Sequence, residues 1–578
     1  MLRFLTKPTL KTLLIGGSAL TSLVLISTPS MAQVEQATRA ADPARITQDL
    51  LSDKRMPELE RAVEVTDAAP LNAPAGAEDI KFSLTSLQID GVGIYTAEDL
   101  DPIYREKLGT TVSLADMYGI ANTLTTKYRN DGYILTQVVV PPQTIENGVV
   151  KLRVVEGFVD QINIQGNQTE SEMKQIRKYA ENLKENNILD AKKMEKYLLL
   201  INDLPGVKAR SILSPSKTKP GASDMTIIIE SHTYDAEVGI NNHGSRYLGP
   251  YQASYSGVLN SILGMNEKIT TDITVSGDKH RPNELMFGGV GYTQPINRYG
   301  TKVSFFGGSS ASQPGADLDQ FDVQGRAYIF SAGLTHPFIR SRTTNWNGRL
   351  SFDAANVTSK NDLEPNARKD RIRSLRLGTN YQFIDTLIGF GINSIDLEYS
   401  QGIDVFGASD AGSSKLTRAR GEPNYKKANF DIQRLQRVTS SINILFAGQG
   451  QWAATPLLSA EEFGVGGMKI GRGYDNSEIV GDDGIAGKIE VQWRQPQAFK
   501  YINDYTLFAH LDSGRVWDQD ATTSAGKRDS LTSIGLGINA DITDKITTGF
   551  GVSLPLTREV EVKNDKEPRF YFNIGHKF

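Results

Sequence analysis

The 578-residue sequence predicts a mostly β chain: a 16-stranded transmembrane antiparallel β-barrel preceded by two β-α-α-β-β domains. Three observations carry this. Past Ser231, runs of about ten residues alternate between apolar and polar and are separated by turn residues. The connections between those runs alternate between short and long. Upstream, from Phe82 to Glu230, one succession of strand and helix patterns occurs twice.

Residues 1–32 read as a secretory signal peptide. Arg3, Lys7 and Lys11 precede an apolar stretch, Leu13–Ile26, of about 14 residues, too short to span a bilayer. Ser30-Met31-Ala32 fits the small-x-small cleavage rule, so the mature chain is expected to start near Gln33. Residues 33–79 read as a short helix on a linker. Asp42 can cap, Pro43 fits a first turn, and Ile46 and Leu50 share a face. Asp67–Asp79, rich in Ala and Pro, has linker composition. Residues 80–157 then open with a strand, Phe82–Ile89. Helical stretches Thr96–Lys107 and Leu114–Arg129 and strands Leu135–Val140 and Val149–Val155 complete the unit. Residues 158–232 repeat the order: strand Val159–Ile164, helices Glu170–Lys184 and Ala191–Asn202, strands Val207–Leu213 and Met225–Glu230. A repeat of about 75 residues points to modular recognition rather than one catalytic cleft.

Residues 233–578 hold sixteen alternating runs. They start near Ala236, Tyr251, Lys268, Leu285, Thr301, Gln324, Asn347, Arg371, Gly389, Tyr425, Ser441, Ile485, Tyr505, Leu531, Lys545 and Arg569. The last run has Phe570, Phe572, Ile574 and Phe578 on one face and Tyr571, Asn573, Gly575 and Lys577 on the other. Another sets Ile489, Val491 and Trp493 against Lys488, Glu490, Gln492 and Arg494. In a membrane barrel the apolar face meets lipid and the polar face a wet lumen. An even count returns both ends of the sheet to one side. Connections after even-numbered strands are short, such as Gln436–Thr439 and Asp541–Asp544. Those after odd-numbered strands are often long, such as Gly402–Asn424 and Ala453–Gly484. About 22 residues per strand plus loop suits sixteen strands. A phase slip between Phe390 and Ile395 predicts a bulge near Asn393.

Composition removes several function classes. A mean hydropathy of −0.32 excludes a helical membrane bundle. A net charge of −4 argues against a nucleic-acid partner. With no cysteine there is no disulfide scaffold, zinc finger or thiol nucleophile. The 6 His residues are not paired at ligand spacing, so no metal site is read. There is no Gly-x-Ser-x-Gly elbow; Gly464-Val465-Gly466-Gly467 lacks the context of a dinucleotide loop. Neither a catalytic residue nor a cofactor is assigned.

One constellation carries more information. The connection after the eleventh strand contains Phe463–Tyr474, in which Gly471 and Gly473 flank Arg472. Glycines there permit tight turns with φ > 0, and an arginine on such a tip presents a planar fork to a carboxylate. The thirteenth strand places Leu507, Ala509 and Leu511 toward lipid, and Phe508, His510, Asp512 and Gly514 toward the lumen. The pattern fits a buried Arg472–Asp512 pair; it also fits a solvated loop charge beside one of many lumenal polar groups.

These segments resemble a known family. Phe463–Tyr474 with Gly481-Asp482-Asp483-Gly484, then Phe508…Asp512-Ser513-Gly514, is similar to the ShlB/FhaC/HecB-type outer-membrane translocases of two-partner secretion. Tyr128–Leu135, Pro141-Pro142-Gln143 and Val154-Val155-Glu156-Gly157 resemble that family's first POTRA module, and Ile164-Gln165-Gly166-Asn167 the opening of its second. The resemblance covers nearly the whole mature chain. It implies two periplasmic POTRA domains (80–157 and 158–232), a barrel in the outer membrane of a Gram-negative bacterium, and an N-terminal helix that plugs the pore. It further implies that Arg472, with Gly471, Gly473 and Tyr474, sits inside the barrel against Asp512 of the strand motif that includes Phe508 and Gly514. The family has Val or Leu before this arginine; here the residue is Gly471. Pro57 would interrupt any extension of the plug helix.

The function expected from this is a secretion pore without nucleotide hydrolysis. A haemolysin- or adhesin-like partner exoprotein would arrive extended, dock on the POTRA domains, cross the lumen and fold outside. An outer-membrane insertase of the same superfamily is the alternative. Leu135, Val138 and Val140, beside the helix Leu114–Arg129, are the expected lining of a groove for extended cargo. Phe578, a terminal aromatic on a barrel strand, resembles the insertion signal read by the barrel-assembly machinery. Outer-membrane lipid is the remaining partner.

Overall fold

The computed structural model describes residues 39, 42–46, 71–184, 188–362, 364–499, 502–521 and 527–578. The expected signal peptide and most of the expected leader, Leu50 and Pro57 included, lie outside the described residues.

In the first module a strand, Ser86–Asp90, pairs in parallel with Val149–Val155, which pairs antiparallel with Gln137–Val139. Helix Leu114–Asn130 covers this sheet. Ser113 caps it, accepting from Asp116 N, while the Asp116 carboxylate accepts from Ser113 N. Its buried Met117, Ile120, Ala121, Leu124 and Tyr128 recur at helical spacing and meet Val138, Val150, Leu152 and Val154. The expected helix Thr96–Lys107 is shorter: Ala97–Leu100 is α-helical, and two 3₁₀ turns follow through Lys107. Pro102 is the reason, since its ring cannot continue an α-helix.

The second module repeats the plan with strands Phe158–Gln165, Val207–Pro215 and Ala222–Ser231 and helices Glu170–Glu181 and Ala191–Asn202. The two modules are stitched together. Leu189 N donates to Gly157 O at 3.0 Å and Ala191 N to Gly132 O at 2.9 Å, and Ile134 and Leu135 pack against the second module's core. The second module in turn sits on three short turns at one end of the barrel. Asn266 Nδ2 donates to Glu172 O at 2.8 Å, and Gln175 Nε2 to Asn297 O at 2.8 Å. Arg340 forks onto Asp203 at 2.8 and 2.7 Å.

Sixteen antiparallel strands close into a barrel, from Tyr234–Asn241 to Arg569–Lys577. Large apolar side chains such as Leu334, Leu377, Ile489, Leu511 and Phe570 are exposed on the outside. Strand starts follow the alternation closely except at the eighth strand, which begins at Glu364 rather than near Arg371. The seventh and eighth strands run on as a polar hairpin on which residues 415–417 pack, with Lys369 N on Lys415 O and the buried Asp370 accepting from Thr417 N, so lipid no longer imposes the alternation. The expected bulge near Asn393 is absent: Gly391–Gly402 pairs with Ser374–Asp385 without a shift. The polarity reverses for another reason. Asn393 donates to Asp385 at 2.6 Å and accepts from Arg434 at 2.7 Å, a polar cluster at the strand end beside the turn. Register shifts occur instead at Pro337/Ile339, Ser359/Asn361 and Pro496/Phe499.

One helical turn, 43–46, lies inside the barrel. Asp42 caps it, accepting from Ala44 N at 2.9 Å, and Pro43 O accepts from Ser310 Oγ at 3.1 Å. Ala44 is buried with Ala327, Val357, Leu457 and Leu458.

Candidate functional site

The connection 454–482, the sixth at the end of the barrel away from the modules, folds back into the lumen. Phe463–Val465 pairs with Ile479–Gly481 to make its stem. Gly466, Gly467 and Gly471 adopt φ of 128°, 84° and 107°, which turns the chain and delivers Arg472 to the wall. Gly473 serves otherwise. Its φ is ordinary, and a Cβ there would lie 2.9 Å from Pro555 N and Ser533 Cβ, so it permits close approach to the wall.

Arg472 is buried and forks onto Asp512, with Nε to Oδ2 and Nη2 to Oδ1 both 3.0 Å. Asp512 also accepts from Gly471 N at 3.1 Å and Arg472 N at 3.0 Å, so it holds the tip by its backbone as well. Arg472 Nη1 donates to Glu490 Oε2 at 2.6 Å. The guanidinium stands 5.7 Å from the centre of the Phe508 ring. Tyr474 is fully buried; its hydroxyl lies 3.1 Å from Thr532 O and accepts from Arg558 N at 3.3 Å. Gly514 makes room for the stem, since a Cβ there would lie 2.6 Å from Val465 Cγ1.

The structure thus brings Arg472, Asp512, Gly471, Gly473, Tyr474, Phe508 and Gly514 together. Glu490 was missed as a partner. Alternation puts it on the lumenal face, but only the register, which sets Glu490 opposite His510, brings it beside Asp512. Arg39 and Arg418 were missed too, because their partners lie far away in sequence.

The three residues expected to line a groove in the first module are placed differently from one another. Val138 is fully buried in that module's own core, and Val138 N donates to Thr125 Oγ1 of the helix at 2.9 Å, which ties strand to helix. Val140 packs on the same core, and Leu135 faces the second module. Phe578 is exposed on the outer face, its N–H on Ala236 O at 3.0 Å.

Comparison with known proteins places this architecture. Residues 82–157 match the POTRA domain, ShlB-type. The chain is 23% identical over 545 residues to the heme/hemopexin transporter protein HuxB of Haemophilus influenzae (strain 86-028NP), covering 93% of this chain and 95% of that one. It is 22% identical over 504 residues to the outer membrane transporter CdiB of Dickeya dadantii, covering 84% and 86%. The solved CdiB from Escherichia coli shares the fold with a TM-score of 0.72 at 18% identity, over 96% of this chain and 100% of that one. The barrel spans the outer membrane, with the modules on its periplasmic side. Residues 221–540, more than half of the sequence, match the model for the haemolysin secretion/activation protein ShlB/FhaC/HecB, and the chain belongs to that family.

Proposed function

We propose that this chain is the pore of a two-partner secretion system, passing an unfolded haemolysin- or adhesin-like exoprotein from the periplasm to the cell surface without nucleotide hydrolysis. The observation that carries this reading is a lumen filled by two separately held occupants: the loop tip locked by Arg472 and the turn 43–46. A 16-stranded barrel is wide enough for an aqueous channel, so occupants tethered at their ends act as stops for an otherwise open path. Main-chain pairing at a sheet edge of the modules suits capture of an extended peptide, and folding outside supplies the direction. The names of the relatives, a heme/hemopexin transporter and outer membrane transporters, agree with a transport role.

The test is secretion of the partner protein by a host given this chain. Partner should reach the medium only when the chain is present, and should enter proteoliposomes made without nucleotide. A general loss of other outer-membrane barrels on deletion, with partner export intact, would refute the reading in favour of an insertase. The purified chain should conduct ions in planar bilayers, and deletion of Gln33–Asp79 should increase the open fraction. Unchanged conductance would remove the leader from the role of plug.

A further inference from the structure

The leader residues in the lumen end in a built ion-pair site. Arg39 Nε donates to Glu462 Oε2 at 3.0 Å and Nη2 to Glu462 Oε1; Nη1 and Nη2 both reach Asp518 Oδ2 at 3.0 Å. Arg45, itself buried, places Nη1 3.9 Å from Glu462 Oε2. Behind the carboxylates stands Arg418, 1% exposed. It donates to Asp482 Oδ1 at 2.6 Å and Asp518 Oδ1 at 2.8 Å and lies 3.4 Å from Glu462.

The origin of each charge matters. Arg418 comes from the fifth long loop, Glu462 and Asp482 from the sixth, and Asp518 from the seventh. These groups are fixed to the barrel. Arg39 and Arg45 belong to the leader. With the leader in place, Arg39, Arg45 and Arg418 meet Glu462, Asp482 and Asp518, and Asp520, 3.9 Å from Arg418, also pairs with Arg420. Without it, Asp482 keeps Arg418 and the backbone donors Leu457 N and Gln519 N, and Asp518 keeps Arg418 and Asp520 N, but the buried Glu462 loses its bidentate partner and is left with Arg418 at 3.4 Å. A buried carboxylate stripped of its bidentate partner is costly, so Glu462 in the vacated site draws in a cation. Its shape selects which cation: Glu462 takes two nitrogens of one planar fork and Asp518 closes the third side, a geometry that a guanidinium fills and an ammonium does not.

We propose that Glu462 and Asp518 form a guanidinium-binding site in the lumen, filled in cis by Arg39, and that this site is what latches the leader. This rests on the reading of the leader as a plug. After the leader departs, the site accepts the arginine side chain of another peptide, so an arginine-bearing segment in the lumen competes with the leader for it.

Planar-bilayer recording of the full-length chain tests both halves. Arg39→Ala should raise the open fraction about tenfold or more, as expected for loss of a charge-assisted fork, and Arg39→Lys should fall near Arg39→Ala. Argininamide at millimolar concentration should raise the open fraction of the unmodified chain saturably, and lysinamide should do so far less. Asp518→Asn, which leaves the Arg418–Asp482 pair in place, should blunt that discrimination. If deletion of Gln33–Asp79 opens the pore while Arg39→Ala behaves as wild type, the latch is overturned and the plug stands. If the deletion itself changes nothing, the plug reading fails first. Equal responses to argininamide and lysinamide would overturn the site's selectivity for a guanidinium.

Discussion

Cutting Arg472 back to alanine is expected to free the sixth loop without harming the barrel. The change removes three hydrogen bonds, two to Asp512 and one to Glu490. Asp512 keeps the backbone donors Gly471 N and residue 472 N. Truncating one partner of a buried pair costs about 3–5 kcal/mol, and less where lumen water reaches the survivor. At about 3 kcal/mol the ratio of undocked to docked loop rises about a hundredfold. Asp512→Ala should be the more severe change. It removes the acceptor of four hydrogen bonds and leaves Arg472 on Glu490 alone. The sixteen-stranded ladder does not depend on either side chain, so membrane levels should stay near normal while secretion falls. The double variant should lose less than the sum, because both single changes break one contact. Arg472→Lys should rescue poorly, since an ammonium cannot make the fork. The sequence contains no cysteine, so one cysteine placed at Lys469 reports loop position cleanly by thiol labelling. The assay pairs partner protein in the medium with a membrane blot and labelling rate. Full secretion by Arg472→Ala with the loop still protected would refute the clamp, and additive losses would show that the residues act apart.

Three further outcomes are expected. Burial, then the nearby Asp475 charge, pushes the Glu478 carboxyl of the sixth loop up to about 7. The docked loop therefore binds this proton more tightly than the free loop, and docking weakens as pH rises from the ordinary carboxyl range to about 7. Labelling at position 469, divided at each pH by the rate for a free thiol because only the thiolate reacts, should be faster at pH 8 than at pH 5, and Glu478→Gln should flatten that normalised difference; an unchanged slope would exclude Glu478 as its source. Val138→Asp should unfold the first module rather than selectively weaken cargo capture, because a charge would enter a closed core; thermal melting of that variant with normal stability would contradict the burial. Phe578→Ala should lower the amount of heat-modifiable barrel in the outer membrane if the residue serves in insertion, and normal levels would leave it as a lipid-facing anchor.

What the sequence determined by itself was whatever each strand or helix must satisfy alone. A strand between lipid and water must alternate, so sixteen strands, their faces and the short and long connections were legible one at a time. The repeated module was legible for the same reason, through its capped amphipathic helix Leu114–Asn130 and the strand pattern after it. Legibility stopped where that constraint stopped: at Glu364–Asp370, where a loop rather than lipid packs on the strand, and at Asn393, where a polar cluster at the strand end looked like a change of phase. The Arg472–Asp512 pair was suggested by residue types and by resemblance, but not its third member. Glu490 joins through inter-strand register, a relation between two segments that neither contains. Tertiary packing also turned Leu135 toward the second module and sealed Val138 under its helix. It brought Arg39 onto Glu462, 423 positions along the chain. Local physics sets which face a side chain occupies; only closure of the barrel decides which other side chains share that face.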